Sequence, residues 1–198
     1  QDAGQPGEFM SFGTGARALG MGRAFTAVAD DASSIYWNPA GMVRITNPEL
    51  SSFFASMYEG TSYGFTGYAV NTKKKGAFGA AIVYLGTGGI EYRQSRTDTN
   101  TSMFSANEFA LLIPYARKIN YELSVGGNFK YVSQSIRSES GSGFGVDLGA
   151  TYKAWYKLNL GLSLKNIMPP TVKIREKADT YPLDMTVGAA YHMLSGDL

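Results

Sequence analysis

Few residues in this chain are of a type that could do chemistry, and their spacing argues against most kinds of it. His192 is the only histidine and there is no cysteine. A metal cluster built on histidine or thiolate, and a thiol nucleophile, are therefore excluded. A Ser-His-Asp arrangement would hang on His192 alone. The glycines between Gly13 and Gly22 match neither G-x-G-x-x-G nor G-x-x-x-x-G-K-[ST], so no phosphate loop is expected. Asp30 and Asp31 are adjacent carboxylates, but they open a short helical stretch, where capping is a simpler role than acid–base work. The longest basic run is Lys73-Lys74-Lys75, and a net charge of +2 gives no electrostatic footprint for nucleic acid. The expectation is a protein that is not an enzyme, takes no cofactor or metal, and binds no nucleic acid.

The elements that would position these residues are strands. In 198 residues there are 24 Gly, 13 Tyr and 11 Phe, a composition that favours sheets and tight turns over helix bundles. Leu158, Leu160, Leu162 and Leu164 alternate with Asn159, Gly161, Ser163 and Lys165, which places an apolar face opposite a polar or tiny one. The same period of two recurs over 123–131, 144–153 and 183–191, and more weakly over 49–58, 62–70, 76–85 and 107–117. These segments make about eight strands, each of the length a tilted strand needs to cross a bilayer. No apolar run approaches the roughly 20 residues of a spanning helix.

Connection lengths alternate as well. The turns at 71–75, 118–121 and 154–157 are tight, whereas 86–106, 134–143 and 166–181 are long and polar, the layout of bacterial outer-membrane barrels. Tyr84 and Tyr131 fall toward one end of the apolar face, and Tyr115, Tyr152 and Tyr191 toward the other, as two aromatic girdles would. Lys130, Asp147, Lys153, Lys165, Asp184 and His192 share the opposite face with many glycines. Burying them unpaired would cost several kcal/mol each, so they are expected to line a wet or plugged lumen. Arginine at Leu162 should then cost about 2–4 kcal/mol, and far less at Ser163.

Residues 1–47 differ from the rest: they are rich in Gly and Ala, with large apolar residues at no fixed period. The span GARALGMGRAFTAVADDASSIYWNPAGM, from Gly15 to Met42, resembles the N-terminal signature of the PorV/PorQ family of FadL-like outer-membrane proteins. The resemblance implies an all-β fold: a transmembrane, antiparallel up-and-down β-barrel of 14 strands, with residues 1–47 folded into the lumen as a hatch. It also implies that Asn38, Pro39 and Ala40 correspond to the Asn-Pro-Ala motif of such hatches. Trp37 and Met42 are expected on the hatch surface beside any lumen ligand. Where such sequences carry Gly-x-Gly-Gly-Ala-Phe, this chain reads Gly20-Met21-Gly22-Arg23-Ala24-Phe25. Residues 48–198 supply only about eight strands, too few to enclose such a hatch, so the chain is read as the N-terminal part of a longer barrel. Leu194-Ser-Gly-Asp-Leu198 then reads as a turn toward a further strand.

The function expected from this resemblance is a passive outer-membrane channel for hydrophobic small molecules, gated by the hatch. The alternative is a PorV-like accessory barrel of a protein-secretion (type IX) system. Expected partners are outer-membrane lipid, a hydrophobic ligand or detergent in the lumen, and a secretion-system or other outer-membrane protein. Export with a cleaved signal peptide is implied, since Gln1 opens a polar stretch with no apolar run.

Overall fold

The computed structural model describes residues 6–92, 102–174 and 177–193. Its main element is an antiparallel sheet of eight strands curved into a half-barrel. Strands β1 (Glu49–Ser56), β2 (Thr61–Asn71), β3 (Ala77–Tyr92), β4 (Ser102–Lys118), β5 (Leu123–Ile136), β6 (Glu139–Trp155) and β7 (Leu158–Met168) pair in sequence order. A short hairpin follows, β8 (Thr171–Ile174) with β9 (Lys177–Thr180), and β10 (Asp184–Tyr191) then pairs with β7. Among the described residues no strand pairs with the outer edge of β1 or of β10.

The N-terminal segment lies on the concave face. It contains two short helices, α1 (Ala16–Gly20) and α2 (Ser34–Trp37), and 3₁₀ turns at Glu8–Ser11 and Pro39–Arg44. A single core joins it to the sheet: Phe9, Phe25, Ile35 and Met42 pack with Tyr63, Phe65, Val83 and Leu112. This explains why the alternation is weak in β2–β4. Their concave residues are apolar because they face the segment; the convex residues of β3 and β4 are apolar too, and those of β2 are mixed, so the contrast between faces is lost.

In β5, β6, β7 and β10 the concave face keeps its small residues for another reason. A Cβ on Gly149 would sit 2.2 Å from Asn38 Oδ1, and one on Gly161 would sit 2.4 Å from the Thr26 carbonyl oxygen. The segment lies directly on backbone there, closer than any side chain would permit. The β8–β9 hairpin uses the same device on β6, where a Cβ at Gly141 would meet the Lys173 carbonyl oxygen at 2.4 Å.

Two sequence expectations change. Of the connections expected as long loops, residues 86–92, 102–106, 134–136 and 139–143 are strand, and β5 and β6 meet in a two-residue turn at 137–138. Small and polar residues dominate these stretches and their few apolar ones, Ile90, Met103, Phe104 and Ile136, keep no period of two, yet the ladder pairs their backbones regardless. Residues 93–101, the centre of the expected 86–106 loop, lie outside the described residues, as does 194–198. The third expected loop, 166–181, holds the β8–β9 hairpin. Ser163 is 2% exposed, under the segment, so arginine there would unseat the segment and the expected contrast with Leu162 does not hold.

On the convex face the apolar band has clear limits. Tyr84 pairs with Phe109 and Tyr131 with Phe144, and farther out along these strands the convex positions read Asn107, Ser133, Ser135 and Ser142. Tyr115, Tyr152 and Tyr191 close the band at the short-turn end, each well exposed. The β3–β6 hairpins therefore project beyond the apolar band.

Gly149→Val should lower stability by about 1–3 kcal/mol, because the added carbons overlap Asn38 and Pro39. Ala150→Val, one residue along on the convex face, should change it little. Urea unfolding of the protein from lipid vesicles compares the two.

Candidate functional site

The Asn38-Pro39 step is the joint of the N-terminal segment. Proline withholds an N–H and disfavours the helical region for the residue before it, so α2 must end here. Asn38 is extended (φ −159°, ψ 100°), and its Oδ1 accepts the Ala40 N–H at 3.2 Å, capping the next 3₁₀ turn. Its Nδ2 donates to the Thr26 carbonyl at 2.8 Å and to the Ala150 carbonyl of β6 at 3.1 Å. Asn38 thus ties two parts of the segment to the sheet wall and has no exposed surface.

Of the neighbouring motif residues only Trp37 borders open space, a cavity of about 180 Å³ shared with Arg23, Lys165 and Asp184. Pro39, Ala40 and Met42 are buried, with Ala40 and Met42 fully so. Trp37 is 8% exposed; its indole N–H donates to the Thr14 carbonyl at 2.9 Å and its ring packs edge-on to Tyr36 and Phe25. Met42, expected on the hatch surface, is instead core, and Trp37 is mostly so, since the apolar residues of a segment without its own core collapse against the sheet.

Two carboxylates with catalytic potential have structural partners. Asp31 accepts from the Ser33 backbone and hydroxyl, and Asp30 is bonded to Arg17. Arg23 stands at φ 70°, left-handed backbone that suits the glycine usual at this motif position, and its guanidinium donates to the Phe12 carbonyl at 3.2 Å.

The six charged residues expected along the lumen separate into three settings. Lys130 and Asp147 form a buried ion pair at 2.7 Å, with Lys130 1% and Asp147 4% exposed. Asn166 completes it, accepting from Lys130 and donating its backbone N–H to the same Asp147 oxygen at 2.8 Å. A left-handed Asn166 (φ 59°) and a register shift between β6 and β7 make that contact. The pair is almost wholly buried, and Lys130 and Asn166 form part of the floor of a larger cavity on the concave side. Lys165 lies over the rings of Tyr36 (4.2 Å) and Trp37 (5.5 Å), a cation–π contact. It borders, with Arg23, Lys130 and Asp184, that same concave-side cavity of about 440 Å³, with charged and apolar walls. Lys153 and His192 belong to the short-turn rim: Lys153 stacks on Tyr121, and exposed His192 donates its backbone N–H to the Lys157 carbonyl.

Two clamping residues escaped the sequence reading. Asn128 donates to the Ile35 carbonyl at 2.7 Å, and Asn71 to the Val43 carbonyl at 2.6 Å. Both are amides on the concave face of apolar-patterned strands, and that parity was the available signal.

An antiparallel sheet with an apolar convex band edged by tyrosine, and its concave face filled by the chain's own N-terminal segment, is consistent with the class of outer-membrane barrels. The family model of the type IX secretion system protein PorV matches residues 4–197, and the chain belongs to that family. The resemblance read from Gly15–Met42 thus extends over nearly the whole chain, and it favours the secretion alternative over a hydrophobic channel. No curated protein matches the chain.

Lys130→Met should cost about 3–5 kcal/mol by leaving Asp147 buried and unpaired, and Lys130→Met with Asp147→Leu should recover most of it. A double-mutant cycle by urea unfolding measures this; a double variant no better than the single would show the two are uncoupled. Burial also pushes the Tyr36 phenol up, from 10.0 to about 12. Because the folded state holds that proton more tightly, its contribution to stability is complete below pH 10 and is lost as pH rises toward 12. Near-ultraviolet circular dichroism should therefore report an alkaline transition in this window that Tyr36→Phe shifts upward.

Proposed function

We propose that this protein is an accessory barrel of a type IX secretion system, seated in the outer membrane after removal of a signal peptide, whose projecting hairpins grip a secretion partner or exported cargo. The family match over residues 4–197 carries the reading. In it the N-terminal segment is a fixed hatch that closes the lumen, and the barrel is completed by strands that pair with the open edges of β1 and β10, since lipid does not tolerate unpaired backbone. The protein performs no catalysis and needs no cofactor.

The arrangement of polar and apolar space supports secretion over small-molecule passage. The cavity beside Arg23, Lys130, Lys165 and Asp184 carries charge of both signs, whereas the almost wholly apolar groove of about 400 Å³ is on the convex face, outside the lumen. The segment is held to the wall by Asn38, Asn71 and Asn128, which suits a plug that stays in place. The stretch of β3–β6 beyond Tyr84 and Tyr131 supplies a polar, extracellular surface for a protein partner.

Removing residues 88–105, so that Thr87 joins its ladder partner Ala106, should leave the protein in the outer membrane but stop surface delivery of cargo proteins. Uptake of long-chain apolar compounds should be unchanged. Normal export with lost uptake would restore the channel reading.

A further inference from the structure

The short-turn end of the sheet carries a concentration of positive charge that neither the fold nor the secretion role uses. A cleft of about 360 Å³ opens between the end of the N-terminal segment and the turns leading into β3 and out of β4. Arg44, Lys73, Lys74, Arg117 and Lys118 line it, with no carboxylate among the lining residues. None of the five forms an ion pair among the described residues. Like charges this close repel one another, and a bound anion would relieve that repulsion; Glu122 lines the adjoining cavity with Arg44 and Lys118 but not this cleft.

The cations are presented from ordered backbone. In the β2–β3 turn the Thr72 hydroxyl donates to the Gly76 carbonyl at 2.8 Å and accepts the Lys75 N–H at 3.2 Å. Asn71 accepts the Lys73 N–H at 2.9 Å while its amide holds the Val43 carbonyl, so turn and segment are fixed together. Arg44 is anchored by donation to the Ala27 carbonyl, and burial lowers its guanidinium from the ordinary value. A nearby anion would favour its charged form.

Arg117 also lines a second feature. On the convex face the paired row Tyr115, Gly127, Leu148 and Leu164 has no side chain at Gly127, which leaves the apolar groove bounded by Tyr115, Val125, Leu148, Leu162 and Leu164. The groove meets the basic cleft at Arg117, and Tyr115 stands at the junction with its hydroxyl on the Lys75 carbonyl at 2.9 Å. Apolar groove and basic cleft thus lie on either side of Arg117, at the short-turn end of the tyrosine-edged band.

We propose that this junction is a binding site for an anionic phospholipid of the periplasmic leaflet, with an acyl chain in the convex groove and the phosphate among Arg44, Lys74, Arg117 and Lys118. Basic pockets beside an apolar membrane surface select such headgroups. An acidic protein segment would satisfy the cleft but would leave the groove unexplained. The inference rests on the outer-membrane reading above.

The test uses the full-length protein reconstituted in vesicles of phosphatidylethanolamine containing a minor fraction of phosphatidylglycerol, with retained lipid counted by native mass spectrometry after mild detergent extraction. The wild type should retain phosphatidylglycerol in excess of its share. The cleft variant Lys74→Gln/Arg117→Gln/Lys118→Gln should lose that excess by about tenfold, the loss expected when charge-assisted phosphate contacts are removed. Val125→Phe, which fills the groove and leaves every cation in place, should lose it too. Both variants change surface positions, and heat-modifiable migration checks that they fold. Loss in the cleft variant alone would overturn the lipid in favour of an acidic peptide, and no preference in the wild type would overturn the site. Failure of the wild type to fractionate with outer membrane would instead sink the outer-membrane reading, and this inference with it.

Discussion

The structure depends on a close approach between two stretches of backbone that have no side chain between them. Asn38 and Pro39 sit against Gly149, and Thr26 sits against Gly161, at distances where a Cβ would overlap. Because the wall is bare there, the Asn38 amide can reach the Ala150 carbonyl and still bond Thr26. Those bonds hold α2 in place, and α2 carries the Tyr36 and Trp37 rings that pack against Phe25, Phe65 and Lys165. A segment with no core of its own is thereby given one. The glycines of the concave face are the negative of its shape.

The same packing settles how charge is tolerated inside the sheet. An ammonium and a carboxylate beneath a plug lose their hydration, and only close pairing with further hydrogen bonds offsets that loss. Lys130 and Asp147 have both, because β7 shifts register and turns Asn166 left-handed to serve each partner. Lys165 takes the alternative of aromatic faces. The irregularity in β7 thus accommodates Lys130 and Asp147, whereas Lys165 and Asp184 border a concave-side cavity and His192 stands at the exposed rim.

Outside, the constraint is the solvent. Convex residues between the two tyrosine rows are apolar, and those beyond Tyr84 and Tyr131 turn to serine and asparagine. The strands do not stop where the band stops. That difference between the length of the strands and the height of the band separates a membrane-spanning part from a projecting part, on which the proposed contact with a secretion partner rests.

Period-two alternation, set by the geometry of extended backbone, made β5, β6, β7 and β10 legible from sequence, and the ordered run from Gly15 to Met42 identified the family. Position 23 was legible too, as a departure from glycine, though not the left-handed φ behind it. What the sequence could not show was decided by contacts between residues far apart in the chain. Trp37 and Met42 look like ligand-facing residues in a linear motif and become core only when the sheet curves around them. Asn71 and Asn128 become clamps only when carbonyls of residues 28 and 93 positions away arrive opposite them. The polar outer halves of β3–β6 read as loops because side-chain patterning reports the surroundings of a strand, whereas pairing is made by backbone groups that every sequence carries.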